Sequence, residues 1–185
     1  MTAKTMFSTL VLVAVLAAPA RAQADRKDYT IFKDVSNTVL SYTRFGIFDD
    51  ISAAVNDGVV TLTGKVTMPF KRDDIGRRVA RVDGVSRVDN QITVLPVSFF
   101  DDRLRYAVAR AIYGNSAFWH YATMANPPIH IIVENGRVTL TGVVANNVER
   151  VLARSLATSF NAFSVTNDLK TDDEMRALLD SKRRG

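Results

Sequence analysis

The chain has no cysteine, which excludes disulfides and a lipid-modified cysteine at a processed start. Histidine occurs only at positions 120 and 130, too few for a metal site without further ligands, and no cysteine is there to complete one. A long hydrophobic run is also missing. Met6–Ala18, broken only by Ser8 and Thr9, is the main apolar stretch, and a spanning helix needs ~20 apolar residues. Charge of one sign is in only mild excess: net charge is +5 over 185 residues, short of a dedicated nucleic-acid binder.

What is present begins with a leader. Lys4 gives a positive start, the apolar run follows, and Pro19 precedes two small-residue patterns, Ala20-Arg21-Ala22 and Ala22-Gln23-Ala24. This is the layout of a cleavable secretory signal peptide over residues 1–24, with cleavage after Ala24 and Ala22 as the alternative. Removing it takes away Lys4 and Arg21 and no acid, so 22 basic residues face 19 acidic ones and the net charge falls to +3. Export to the periplasm or medium makes a nucleic-acid partner less suitable still. Without disulfides, each folded unit must be stable through its packed core alone.

The exported part is a duplication. Gly58-Val59-Val60-Thr61-Leu62-Thr63-Gly64-Lys65-Val66 recurs as Gly136-Arg137-Val138-Thr139-Leu140-Thr141-Gly142-Val143-Val144, 78 residues on, with seven of nine positions identical. In each copy Asp57-Gly58 or Asn135-Gly136 predicts a two-residue hairpin turn with positive φ. Ile51, Ala53 and Val55 alternate before the first turn, as Ile129, Ile131 and Val133 do before the second. Val60, Leu62, Gly64 and Val66 share one face of the return strand, as do Val138, Leu140, Gly142 and Val144. Gly64 and Gly142 on that face would let a helix approach closely.

Helical spacing places one helix before each hairpin and one after it. Ile31, Val35, Val39 and Tyr42 mark the first, with Gly46 near its end. Pro69 opens the second, striped by Ile75, Val79 and Val82 and closed by Gly84. In the second copy Asp101 or Asp102 caps a helix carrying Leu104, Val108, Ala111 and Ile112, and Gly114 ends it. Val148, Val151, Leu152 and Leu156 stripe the helix after the hairpin. A third strand ends each copy, through Val88-x-Asn90-x-Ile92 and Val165-x-Asn167-x-Leu169. Asn161 takes the place of Gly84, and Asn tolerates a left-handed conformation. The expected fold class is α+β: two tandem αββαβ units over residues 25–96 and 99–170. Each is a three-stranded mixed sheet covered on one face by two helices. Thr171-Asp172-Asp173-Glu174 then reads as a capping box opening a short tail helix over 171–185.

The hairpin phrase, the helix after it and Gly84-Val85-Ser86-Arg87-Val88-Asp89-Asn90 together resemble the BON domain, and the duplication behind a leader resembles a tandem two-BON exported protein. That resemblance implies the αββαβ fold, an envelope location and binding of phospholipid in place of catalysis. The second copy departs from it where Asn161-Ala162 replaces Gly-Val and where an aromatic insertion precedes its first strand.

Candidate chemistry is sparse. Gly58, Gly64, Gly136 and Gly142 lack phosphate-loop spacing. No Ser-His-Asp set has recognisable spacing, and His130 falls on the strand face opposite Ile129 and Ile131. The pairs Asp49-Asp50, Asp73-Asp74 and Asp101-Asp102 sit where helices or strands start. No catalytic residue, cofactor or metal is expected. The feature unique to the second copy is Asn115–Pro128, with Phe118, Trp119, Tyr121 and Met124. Two readings are open. Phe99 to Tyr121, with these aromatics and Arg103, Arg105 and Arg110, forms a patch for anionic phospholipid, or the aromatics fold back to bury the gap between the units. The alternative to lipid binding is a protein–protein adaptor of an envelope complex, using the Thr-rich sheet faces or an open strand edge.

Overall fold

The computed structural model describes the backbone of residues 18–184 and side chains from 27 to 181. Most of the expected leader, residues 1–17, lies outside the described residues. Helix α1 (Ala18–Leu40) is followed by the hairpin β1 (Asp50–Asn56) and β2 (Val59–Val66), helix α2 (Pro69–Val79) and short strands β3 (Arg87–Asn90) and β4 (Thr93–Val94). The plan repeats as α3 (Phe99–Tyr113), a short α4 (Trp119–Ala122), β5 (Ile129–Glu134), β6 (Arg137–Val144), α5 (Asn147–Ala157), β7 (Ser164–Asn167) and β8 (Lys170–Thr171). Helix α6 (Asp172–Arg184) closes the chain. In each unit the central strand pairs antiparallel with its hairpin partner and parallel with the third strand. The fold is α+β, as expected, with one core per unit. Val60, Leu62 and Val66 of β2 and Val138, Leu140 and Val144 of β6 are buried at its centre.

The third strand is split in both units, and one residue explains it. Asn90 Nδ2 donates to Arg72 O of α2 at 2.9 Å while its Oδ1 accepts from Ile92 N at 3.3 Å. Asn167 does the same with Arg150 O at 2.8 Å and Leu169 N at 3.4 Å. A short side chain with a donor and an acceptor is needed for that double role. It ties sheet to helix and interrupts the ladder.

The hairpin turns take the mirror geometry that the strand twist favours, with φ 49° and 74° at Asp57-Gly58 and 50° and 72° at Asn135-Gly136. Each turn is clamped by a carboxylate from the preceding helix. Asp28 accepts from Asp57 N and Gly58 N at 2.7 and 3.0 Å, and Asp101 from Asn135 N and Gly136 N at 2.8 and 2.7 Å. Asp101 is therefore not the helix cap. Ser98 is, accepting from Asp101 N, and the Asp101 carboxylate is buried against the turn. Asp101→Asn keeps the shape but turns a donor toward one of the two turn N–H groups. We expect it to cost about 1–3 kcal/mol in urea denaturation, with Asp28→Asn costing less because Asp28 is only half-buried.

Several local expectations are corrected. Helix α1 stops at Leu40, not near Gly46, because residues 41–49 form a structured loop. Helix α2 ends at Val79 with Ala80 as cap, so Gly84, at φ 86°, lies in the turn beyond it. Asn161 does not copy that positive φ. On α3 Ala109, not Ala111, is buried, and on α5 Ala153 and Ala157 face the core while Val148 and Val151 are exposed. A Cβ on Gly64 or Gly142 would strike the carbonyl of Asp50 or Pro128, so the missing side chain admits a neighbouring strand and not a helix.

The units meet through loop 41–49. Ile131 N donates to Ile47 O at 2.7 Å, Phe48 meets Tyr106 edge-on at 5.2 Å, and Phe45 packs on His130 at 5.3 Å. Lys65 pairs with Glu134 across the same junction. Asp49, fully buried, shapes the loop: its carboxylate accepts from Gly46 N, Thr67 N, Thr67 Oγ1 and Lys71 Nζ.

Candidate functional site: an aromatic and arginine face on the second unit

The structure divides the residues expected to form a patch. Phe118 is fully buried, and Tyr121 is buried with its hydroxyl donating to Glu149 at 2.8 Å. Burial, then the neighbouring Glu149 carboxylate, pushes that hydroxyl up to about 12. Both belong to the second unit's own core and neither lies at the surface nor fills the gap between units. The gap is filled instead by Phe45, Ile47 and Phe48 from the first unit. Arg105 is buried too: its guanidinium pairs with Asp102 and donates to Val133 O at 2.7 Å. These three are corrected from surface contacts to core residues. Arg103, Arg110 and Trp119 remain exposed.

The remaining face of α3 is coherent. Phe99, Arg103, Tyr106 and Arg110 recur at i, i+4, i+7 and i+11, one stripe of a helix. Phe99 is 79% exposed and Tyr106 60%. The Arg103 guanidinium lies 5.8 Å from the Phe99 ring centre, held over it and free of any ion pair among the described residues. Beside the stripe runs an open groove lined by Phe99, Phe100, Arg103, Arg110 and Phe160.

Phe163, 79% exposed, completes the face from the loop before β7. A Cβ on Gly136 would meet its ring at 2.6 Å and that of Phe100 at 3.3 Å, so both rings sit over the hairpin turn. Counted from the clamp aspartates, the first unit has Lys27 where Phe100 stands. Ser86, whose N–H bonds Gly58 O as Phe163's bonds Gly136 O, stands for Phe163. The aromatic face is therefore a property of the second unit alone.

The helical spacing of Phe99, Tyr106 and the two arginines was a usable sequence signal for this stripe. Phe160 and Phe163 had none, because a loop brings them in. Arg105 could have been placed inward, since it shares a face with Leu104, Val108 and Ile112.

On the other side of the unit α6 is fixed by the reciprocal capping box, Thr171 N to Glu174 Oε2 at 2.9 Å and Glu174 N to Thr171 Oγ1 at 3.3 Å. The Arg150 guanidinium reaches both Glu174 oxygens at 2.9 Å. The Thr171 N–H, then Arg150, hold the Glu174 carboxyl below its ordinary range. Among the described residues no three His, Asp or Glu side chains converge to hold a metal ion, and no helix is long and apolar enough to cross a membrane.

No curated protein matches the chain. Two solved structures align with it at 12% identity, both of CdsD, a structural protein of the type III secretion system of Chlamydia trachomatis. One covers 82% of this chain and 97% of that chain at a TM-score of 0.30, and its C-terminal domain covers 74% and 94% at 0.27. The family model described as the BON domain matches residues 33–96 and 119–173, so this chain belongs to the BON domain family, with two copies in tandem.

Proposed function

We propose that the protein is an exported, non-enzymatic envelope protein that binds the surface of anionic phospholipid membranes through its second BON unit. The observation that carries this reading is the α3 stripe: two exposed aromatics alternating with two exposed arginines on one helix face, extended by Phe163. Aromatic rings suit the boundary between acyl chains and head groups, and the guanidinium of an arginine forks onto phosphate oxygens. Membership of a family of binding modules supports it, and so does the leader expected from the sequence, which would export the chain to where such a surface is met.

Each arginine near an anionic surface contributes about 1 kcal/mol, so Arg103→Glu with Arg110→Glu should weaken binding by thirtyfold or so at low salt. Phe99→Ala with Phe163→Ala should weaken it at least roughly tenfold, since burying an aromatic ring is worth about 1.5–3 kcal/mol. Flotation with anionic and neutral vesicles checks both. Binding to anionic vesicles alone, screened by salt and lost in these variants, is the expected result. Equal binding by the wild type to neutral vesicles, or full binding by both variants, overturns the assignment. Trp119, the single tryptophan and 71% exposed, gives a fluorescence readout on the same unit.

A further inference from the structure

The outer edges of β1 and β5 occupy the same place in the two units and are treated in opposite ways. Antiparallel partners alternate between residues that bond each other and residues whose N–H and C=O point away. On β5 the outward residues are Ile129, Ile131 and Val133, and each has at least one outward group capped. Tyr113 Oη bonds Ile129 N at 3.2 Å and Ile129 O at 2.5 Å, Ile47 O takes Ile131 N at 2.7 Å, and Arg105 donates to Val133 O at 2.7 Å.

On β1 the matching residues are Ile51, Ala53 and Val55. They face Gly64, Leu62 and Val60 of β2 as Ile129, Ile131 and Val133 face Gly142, Leu140 and Val138 of β6. No hydrogen bond among the described residues reaches their outward groups. The α1 positions matching Arg105 and Tyr113, counted from Asp28 and Asp101, are Phe32 and Leu40, whose side chains have no donor. No unit precedes α1 among the described residues to supply a counterpart of Ile47. Strand β1 packs mainly on β2 and α1, and Ser52, Ala54 and Asn56 are exposed. From Ile51 to Asn56 it carries no charged residue or proline to blunt the edge.

We propose that the β1 edge pairs with the β1 edge of a second copy of this chain, antiparallel about a two-fold axis through Ala53. The strand is its own complement in that register. The outward residues pair Ile51 with Val55 and Ala53 with Ala53, so all their outward donors and acceptors are used. Asp50 falls opposite Asn56 and Ser52 opposite Ala54, so no like charges meet. The same residue pattern on both partners is what a two-fold interface requires. A seven-residue strand buries less than the ~1,200 Å² of stable complexes, so the dimer is weak and depends on concentration. It forms in solution and does not rest on the membrane reading.

Sedimentation of the exported protein without lipid, from about 10 µM to about 1 mM, tests it across the range of weak association. The wild type should shift from monomer to dimer with concentration. Ser52→Lys with Ala54→Lys puts like charges opposite each other across the axis, and Ser52→Glu with Ala54→Glu does the same with the other sign. Each variant alone should stay monomeric, and an equal mixture should restore the dimer. Ala53→Pro, which removes an N–H that has no partner in the monomer, should also stay monomeric. If that variant fails to fold, the charge variants, altered only at exposed positions, decide. A wild type monomeric throughout, a dimer that persists in the charge variants, or a mixture that stays monomeric overturns the proposal.

Discussion

A chain carrying Gly142→Ala is expected to lose the cooperative unfolding transition of its second unit while keeping that of the first. Gly142 lies at φ 108°, outside the left-handed well that other residues occasionally use. Its absent Cβ would fall inside contact distance of Pro128 O, which also accepts the Val143 N–H at 3.2 Å. The obstacle is backbone, fixed at the start of β5, and cannot swing aside as a flexible side chain would. Strain in such a region costs about 1–3 kcal/mol before any clash, and clash with backbone takes the total above about 4 kcal/mol. Domains of this size are stable by only about 5–15 kcal/mol. Gly64→Ala, at φ 123° against Asp50 O, should do the same to the first unit. Gly46→Ala, whose new methyl would meet only Asp49 Oδ2 at an ordinary 3.9 Å, is the matched control and should melt near the wild type. Scanning calorimetry of the three variants checks this, and a Gly142→Ala protein melting within a few degrees of the wild type would refute the account.

The repeated hairpin phrase carried most of what could be read from sequence, because its constraints are local. Turn geometry demands Asp57-Gly58 and Asn135-Gly136, strand alternation demands the buried valines and leucines, and the shared Asn90 and Asn167 mark where sheet is tied to helix. Gly64 and Gly142 were visible as unusual, but the reason was not: a strand carbonyl stands where a helix was expected. What escaped was every contact made over distance by an irregular segment. Nothing in the spacing of Phe45, Ile47 and Phe48 says that they cap the other unit, and nothing near Phe163 says that it lies over Gly136. Asn115–Pro128 drew attention for its aromatics, yet two of them fill their own core. The exposed aromatic and arginine stripe falls instead on α3, half of it already in view as Arg103 and Arg110. Composition locates apolar mass but not which side of a core it lands on.

Asp49→Ala should be the most damaging single change outside the glycines, and it should damage two things at once. The carboxylate is fully buried and accepts from two backbone N–H groups, one hydroxyl and the Lys71 ammonium, whose own side chain is 13% exposed. Removing it leaves Lys71 Nζ beside Thr67 Oγ1 alone, a cation in a poorly hydrated site, together with two orphaned N–H groups. Breaking a buried pair from one side costs about 3–5 kcal/mol, which lowers the melting temperature of a unit this small by on the order of 15 °C. The second effect follows from where the loop goes. Without Asp49 holding Gly46 N and Thr67 N, Ile47 no longer presents its carbonyl to Ile131 N and Phe48 loses its fixed place against Tyr106. Ile131 N should then exchange with solvent deuterium much faster, although its own unit stays folded. Asp49→Asn combined with Lys71→Met removes the charge problem but keeps an acceptor for only one of Gly46 N and Thr67 N, which bond different carboxylate oxygens. It should recover part of the stability and of the protection of Ile131 N, because a neutral replacement of both partners is tolerated where loss of one is not, while one N–H still faces the amide NH2. Hydrogen exchange and calorimetry of the single and paired variants separate the outcomes. If Asp49→Ala melts with the wild type, or leaves Ile131 N protected, the loop is held by something other than this carboxylate.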